Sequence, residues 1–295
     1  MDDLIARVER LKTGKKAKSV RADESPATTA KVIQLPFWPE PVRAVPNGFL
    51  RSALFGAVGR GRRRYLEREP MASLDGIEVR YTGQRLDQGD LDTWESILHA
   101  VRLQDLGSKC HITGYQLLKL MGKTLSGKNR EILQSRIERL VANALIVKHE
   151  RYTYIGSLIS SAVKDDNTNE WIIELDDKIT PLFGVDQYSH IQWDTRKKLG
   201  GSQMAQWLHG FYSSHANPYP IKVETLLRLT GSENSSLKSG KQKLIKALEA
   251  VKAACSEGDT PFDYEIKAGL VVVNRQPVKT QIKHLAKKKR HRHSG

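Results

Sequence analysis

Two groups of residues in this chain have the types and spacing needed to grip and read a polyanion. Lys128, Asn129, Arg130, Gln134, Ser135, Arg136 and Arg139 fall in one short stretch, and Lys238, Ser239, Gln242, Lys243 and Lys246 fall in another, with Lys267 further on. At ~100° per residue, helices over about 128–142 and 236–254 place each group on or beside the face opposite an apolar stripe. The stripe is Ile132, Leu133, Ile137, Leu140 and Val141 in the first helix, and Leu244, Ile245, Leu248 and Val251 in the second. Arginine, lysine, glutamine and asparagine are the side chains whose hydrogen bonds discriminate base edges in a DNA major groove. Others in such a group touch only phosphate, which adds affinity without reading sequence. For any one of them a merely solvated charge is an equal alternative, so the face as a group carries the expectation.

Bond-breaking chemistry finds little support. There is no Gly-x4-Gly-Lys-[Ser/Thr] loop to cradle a triphosphate, and GAVGRG at 56–61 runs into arginines. No His-Glu-x-x-His occurs, and His291 and His293 sit in a basic tail instead of between apolar residues. Tyr212 and Tyr219 read as core and turn residues, not nucleophiles. The two cysteines, Cys110 and Cys255, are far apart and outside any CxxC. The sequence therefore predicts a binding protein and no enzyme, with no cofactor, no metal site and reduced thiols.

The elements that must position the two groups repeat. Residues 112–122 read ITGYQLLKLMG and residues 221–231 read IKVETLLRLTG, both fitting Ile-x4-Leu-Leu-[Lys/Arg]-Leu-x-Gly. Each is followed by its basic helix and then by β-type sequence. A glycine turn between two helices is the helix-turn-helix pattern, whose second helix enters the major groove. Upstream of the first copy, Asp92 is expected to cap a helix running to about Leu103, with Trp94, Ile97, Leu98 and Val101 on one face. A helix over about 195–214 precedes the second copy. The runs 144–155, 156–163 and 171–175 are expected to be strands, as are the two arms of 262–275 around Gly269. Residues 76–82 alternate as a strand does, and 56–68 reads as a basic loop.

The fold class expected is α+β: two tandem winged-helix domains, each a helix-turn-helix plus β-hairpin. The first covers 32–185, including an extended proline-rich segment, and the second covers 186–277. A flexible basic arm (1–31) and a basic tail (278–295) flank them, the tail holding seven lysines or arginines and no acid. The formal charge of +15, from 48 basic and 33 acidic residues, draws the chain to nucleic acid. No run approaches the ~18 apolar residues that span a bilayer, so no membrane partner is expected. Two such domains could occupy successive major-groove faces about one helical turn apart, ~34–36 Å, which suits a tandemly repeated, non-palindromic site.

Four blocks carry a resemblance to a known family. FWPEPVRAVPNGFLRSALF (37–55), IEVRYTG (77–83), LDTWESIL (91–98) and PYPIKVETLLRLTGS (218–232) resemble the TrfA-type plasmid replication initiators, the iteron-binding Rep proteins of broad-host-range plasmids, over about residues 33 to 275. The resemblance implies two winged-helix domains on double-stranded origin DNA. It implies melting of adjacent AT-rich DNA and recruitment of host DnaA, DnaB helicase and the polymerase sliding clamp. A monomer–homodimer equilibrium that controls copy number, and a bacterial cytoplasmic, plasmid-associated location, belong to the same expectation. Gln34, Leu35, Phe37 and Trp38 are similar to the family's clamp-binding peptide, which works by seating apolar anchors in a groove. Phe37 and Trp38 also suit packing on the first domain, so both uses stay open. A transcriptional repressor of the same fold is the alternative function, distinguished by a single operator in place of a repeat array. An RNA-binding role is disfavoured by the lack of aromatic stacking platforms.

Overall fold

Ile77, Val79 and Tyr81 alternate with polar residues, and the strand they form, β4 (Ile77–Gln84), buries those three on one face. This is period-2 patterning against a one-sided core. β4 is central in a four-stranded antiparallel sheet of order β3-β4-β7-β8, with β3 at Tyr65–Met71, β7 at Ala144–His149 and β8 at Tyr152–Gly156. The computed structural model describes residues 38–59, 61, 63–74, 76–102, 109–149, 152–233, 236–256, 261–279, 281–282 and 285–286. All belong to the body Ile33–Gly295. The arm expected over 1–31 and most of the basic tail lie outside the described residues.

The basic loop expected over 56–68 ends early, because Tyr65 already begins β3. Pro70 is tolerated there since β3 is an edge strand that needs no donor on its free side. Helix α2 (Gln88–Val101) starts before the expected Asp92. Asp87 is its cap, accepting from the Gly89 and Asp90 amides, while Asp90 reaches back to the Asp87 amide. Trp94, Ile97, Leu98 and Val101 are buried as their spacing predicts.

Before α2, β1 (Val42–Pro46) pairs with the distant strand β11 (Tyr188–Gln192), a short helix α1 (Asn47–Leu50) follows β1, and β2 (Phe55–Gly56) runs parallel to β5 (Leu86–Asp87). After α2 come β6 (Lys109–Thr113), α3 (Gly114–Leu120) and α4 (Gly127–Val141), then the β7–β8 pair and the hairpin β9 (Ser161–Asp165) and β10 (Glu170–Glu174). β6, β10 and β9 form one antiparallel sheet. The hairpin belonging with α3 and α4 is thus β9–β10. The run expected to serve it from 144 onward instead completes the β3–β4 sheet.

The helix expected over 195–214 is two helices. α5 (Trp193–Lys198) and α6 (Gln203–Ser213) are separated at Gly200 and Gly201, and Ser202 caps α6. Then β12 (Ile221–Lys222), α7 (Val223–Leu229), α8 (Leu237–Cys255), β13 (Phe262–Lys267) and β14 (Leu270–Arg275) repeat the earlier order, with sheet order β12-β14-β13. The shared arrangement is strand, helix, turn, helix, hairpin, with the hairpin's second strand central.

Two apolar clusters hold these parts. One gathers Trp38, Phe49, Trp94, Leu133, Ile137 and Leu140 and continues to Ile191, past residue 185 where the first domain was expected to end. The other gathers Trp207, Leu208, Phe211, Leu244, Leu248, Val251 and Val271. The fold is α+β. Among the described residues no helix is long and apolar enough to cross a membrane.

Candidate nucleic-acid interface

In each copy the turn between the helices is made by a left-handed glycine, Gly122 (φ 66°) and Gly231 (φ 62°). Only glycine takes that conformation without cost, which is why the repeated motif ends in glycine both times. After each turn a serine caps the second helix through its side chain: Ser126 accepts from the Asn129 amide and Ser236 from the Ser239 amide. The helices so started, α4 and α8, pack by a narrow stripe and turn the rest of their surface outward.

On α4 that outward surface holds Lys128, Arg130 and Gln134, all exposed. The other residues expected there have internal partners. Asn129 Nδ2 donates to the Thr124 carbonyl and hydroxyl, bracing the turn. Ser135 Oγ accepts from Arg139, whose guanidinium donates to Asp90 Oδ1 at 2.8 Å and is 11 % exposed. Arg139 is therefore a correction, a structural cation and not a presented one. Arg136 is half-buried over Gly89 at the start of α2, where its charge helps hold the Asp87 carboxyl low. Gln134 lies beside Lys164 of the β9–β10 hairpin, and Lys164 sits over the Trp171 ring at 5.9 Å. Tyr115, at the start of α3 and 51 % exposed, lines the same groove with Arg130 and Gln134; no pattern in the sequence singled it out.

On α8 the expected Lys238, Gln242, Lys243 and Lys246 are exposed, and Ser239 is half-buried. Lys241, not foreseen, is exposed among them. From Leu237 to Leu248 the helix has no carboxylate, and Glu249 accepts from the Tyr264 hydroxyl at 2.7 Å. Lys267, at the tip of the β13–β14 hairpin, is exposed and paired with Glu265 at 2.7 Å. Two apolar residues expected to face inward do not: Ile132 is 38 % exposed and Ile245 is 37 % exposed. The stripes Leu133–Ile137–Leu140 and Leu244–Leu248–Val251 are narrow enough to leave each isoleucine at the polar border.

Behind α4 lies a cluster of acids on α2, where Asp92 is an ion-pair partner and not the expected helix cap. Asp87, Asp90, Asp92 and Glu95 meet Arg63, Arg139 and Arg196. Arg196 of α5 is 1 % exposed and donates to Asp92 at 2.7 Å, to the Gln88 side chain at 3.0 Å and to the Gln206 carbonyl at 3.2 Å. Burial pushes the Glu95 carboxyl up to about 7, with Arg196 pulling down and Asp92 pushing up. Burial, helped by the Arg196 charge, holds His209 down to about 3.

Of the peptide similar to a clamp-binding motif, Gln34, Leu35 and Phe37 lie outside the described residues. Trp38 is 0 % exposed, donates to His99 Nδ1 at 3.2 Å and stacks on Phe183. Of the two uses left open for Trp38, the structure has it packing on the first core.

The family model of the TrfA protein matches residues 3–259. The chain belongs to the TrfA family. A curated relative, the plasmid replication initiator protein TrfA of Escherichia coli, is 26 % identical over 229 residues, covering 74 % of this chain. The chain spans only 58 % of that relative's length. Among solved structures, a selenomethionine derivative of domains 2 and 3 of RctB aligns with a TM-score of 0.51 and 14 % identity, covering 78 % of this chain and 96 % of that one. At that identity the match speaks to the fold, and it has the same mixture of helix and sheet. Among the described residues, no group of three or more His, Cys, Asp or Glu is placed to hold a metal ion.

Proposed function

We propose that this TrfA-family chain initiates plasmid replication by laying α4 and α8 in successive major grooves of tandem origin repeats. The observation that carries the reading is the doubled unit. Twice, a left-handed glycine and a serine cap launch a helix that turns cations outward, Lys128 and Arg130 among glutamates in α4 and a run of lysines in α8, and twice a three-stranded sheet ending in a hairpin stands beside it. In this reading each unit is a winged helix, with the first domain running on through β11, a few residues beyond 185, and the second ending near residue 277. Lys128, Arg130 and Gln134 read or hold one half of the site, and Lys238, Ser239, Lys241, Gln242, Lys243 and Lys246 the other, with Lys267 on phosphate. Asn129 and Ser135 act by shaping the first helix. Ile132 and Ile245, on the border of these faces, suit the methyl group of thymine.

Melting of neighbouring AT-rich DNA, recruitment of host DnaA, DnaB helicase and sliding clamp, and copy-number control through a monomer–dimer balance follow from the family likeness. Catalysis is not part of the proposal, and it needs no cofactor. The test is nuclease footprinting on the plasmid segment that carries this gene, with permanganate probing of unpaired thymines. The expected result is a periodic footprint over direct repeats with reactive thymines alongside. A single protected operator without thymine reactivity would make the chain a repressor, and no protection at all would sink DNA recognition.

A further inference from the structure

The turn ahead of each outward helix is held by residues from elsewhere in the chain. In the second unit, the Ala57 amide donates to the Thr230 carbonyl at 2.7 Å, and Arg85 donates to the Gly231 carbonyl at 2.5 Å. Arg85 also pairs with Glu233 at 3.0 Å, so residues flanking the β3–β4 pair reach the turn of the last helix pair. A methyl group at Gly231 would lie 2.5 Å from Arg85 Nη2 and 3.1 Å from Ala53 Cβ, so the approach is close. In the first unit, Trp193 Nε1 of α5 donates to the Leu120 carbonyl at 3.0 Å, and the Lys197 stem lies against Gly122. Between these two contacts runs the buried network on α2. Arg196 joins Asp92 and Gln88 to the Gln206 carbonyl, and Gln203 of α6 accepts from the Gln88 amide at 2.8 Å. Trp207 donates to the Ser52 carbonyl at 3.0 Å, and Gly210 lets α6 approach Leu50.

We infer that these contacts brace the two DNA-reading helices at a fixed separation and rotation, so that the chain measures the spacing between the two halves of its site. Arg85 and Trp193 are the positioning residues, one for each turn. This rests on the proposed DNA reading and deepens it. Two modules joined by a flexible linker tolerate a range of spacings, since the second binding step depends only on effective concentration. Two modules fixed to each other have one spacing that satisfies both, and an inserted base pair rotates one half-site by about 34–36° and shifts it by about 3.4 Å. Buried polar contacts suit such a device because they are directional, and a displaced partner leaves a desolvated group behind.

The experiment uses the full chain. A high-affinity duplex is first selected by wild-type protein from a random-sequence duplex library. Insertions of one to five base pairs are then placed between its two protected halves, and affinity is measured for wild type, Arg85→Ala, Glu233→Gln and Trp193→Phe. Wild type is expected to lose on the order of a hundredfold in affinity at the worst insertion. Arg85→Ala is expected to bind the unaltered duplex more weakly, to bind each isolated half as wild type does, and to show a spacing penalty about tenfold smaller. Glu233→Gln and Trp193→Phe, milder changes that spare the fold, are expected to move the penalty in the same direction. A merely structural role would lower all affinities together and leave the penalty intact. If wild type shows a spacing penalty and all three variants keep it, the brace is wrong while the DNA reading survives. If wild type selects no duplex, or its binding ignores one half, the DNA reading falls and this inference falls with it.

Discussion

Helices α4 and α8 follow the same motif but are anchored by different physics. α4 meets the core through three leucine and isoleucine side chains and through Arg139, locked to Asp90, with Arg136 over the start of α2. α8 buries a longer apolar row of Leu244, Ala247, Leu248, Val251 and Ala254, and its Lys252–Asp263 ion pair lies on the exposed side. The consequence shows on the outer face. α4 gives two of its arginines to the interior and carries Glu131 and Glu138 outside, whereas α8 keeps an exposed run of lysines with no acid before Glu249. The first helix is built to be placed and the second to attract. In the proposed reading, long-range DNA capture would then belong mainly to α8, with α4 supplying orientation and the close contacts of its groove.

The largest break in the comparison is Arg139→Ala. It leaves the fully buried Asp90 without its main cation, and breaking such a pair costs about 3–5 kcal/mol. Urea denaturation should show that loss, whereas Ala250→Ser, on the half-buried side of α8, should cost well under about 1 kcal/mol. Equal effects would mean the two helices are anchored alike. Next comes the pH dependence of the α2 cluster. Glu95 is raised in the fold to about 7, so its contribution favours the folded chain below its ordinary carboxylate range and is lost as pH rises toward 7. Glu95→Gln should flatten that part of a stability–pH profile, and an unchanged profile would show Glu95 titrating normally. His209, depressed to about 3, works in the opposite sense, favouring the fold above its ordinary value and losing that contribution as pH falls from about 6.5 toward 3. A His209→Gln variant should therefore resist acid better than wild type.

The asymmetry of charge is tested by salt. Lys243→Ala with Lys246→Ala should weaken DNA binding and reduce the slope of log affinity against log salt by about 2. Gln134→Ala on α4 should leave the slope unchanged and alter the preference among sequences. If the Lys pair leaves affinity and slope as in wild type at every salt concentration, α8 is not a reading helix. The smallest effect separates the two turns. Gly122→Ala and Gly231→Ala each incur roughly 1 kcal/mol for a left-handed alanine. Gly231→Ala should cost more in thermal denaturation, since its methyl meets Arg85 and Ala53, while that of Gly122 meets only the flexible Lys197 stem.

Much of the interface was legible because it obeys local rules. The glycine of the motif, the period of Leu133–Ile137–Leu140 and the alternation of β4 each follow from neighbours in sequence. What the sequence hid depends on distant partners. Nothing near Arg139 distinguishes it from a solvated arginine, since Asp90 is brought to it only by packing of α2. Likewise Ile132 and Ile245 share the helical period of the core, and only the width of the groove they meet leaves them at the border. The β7–β8 pair reads as a hairpin in sequence, but its partners β3 and β4 decide which sheet it joins. Arg85, Trp193 and Arg196 are single residues in unremarkable stretches, and their roles appear only when the two units stand side by side.

The pairing of β1 with β11 bears on how the chain matures during synthesis. Val42–Pro46 has no partner in its own sheet until Tyr188–Gln192 has been made, and closing so long a loop is slow compared with forming local hairpins. A nascent chain halted near residue 185 would carry an unfinished first half with an open edge, ready to pair with whatever strand it meets. The second half, by contrast, draws its three strands from Ile221 onward and can close within one short stretch of translation. It therefore closes last, beside a first half that has only just become whole.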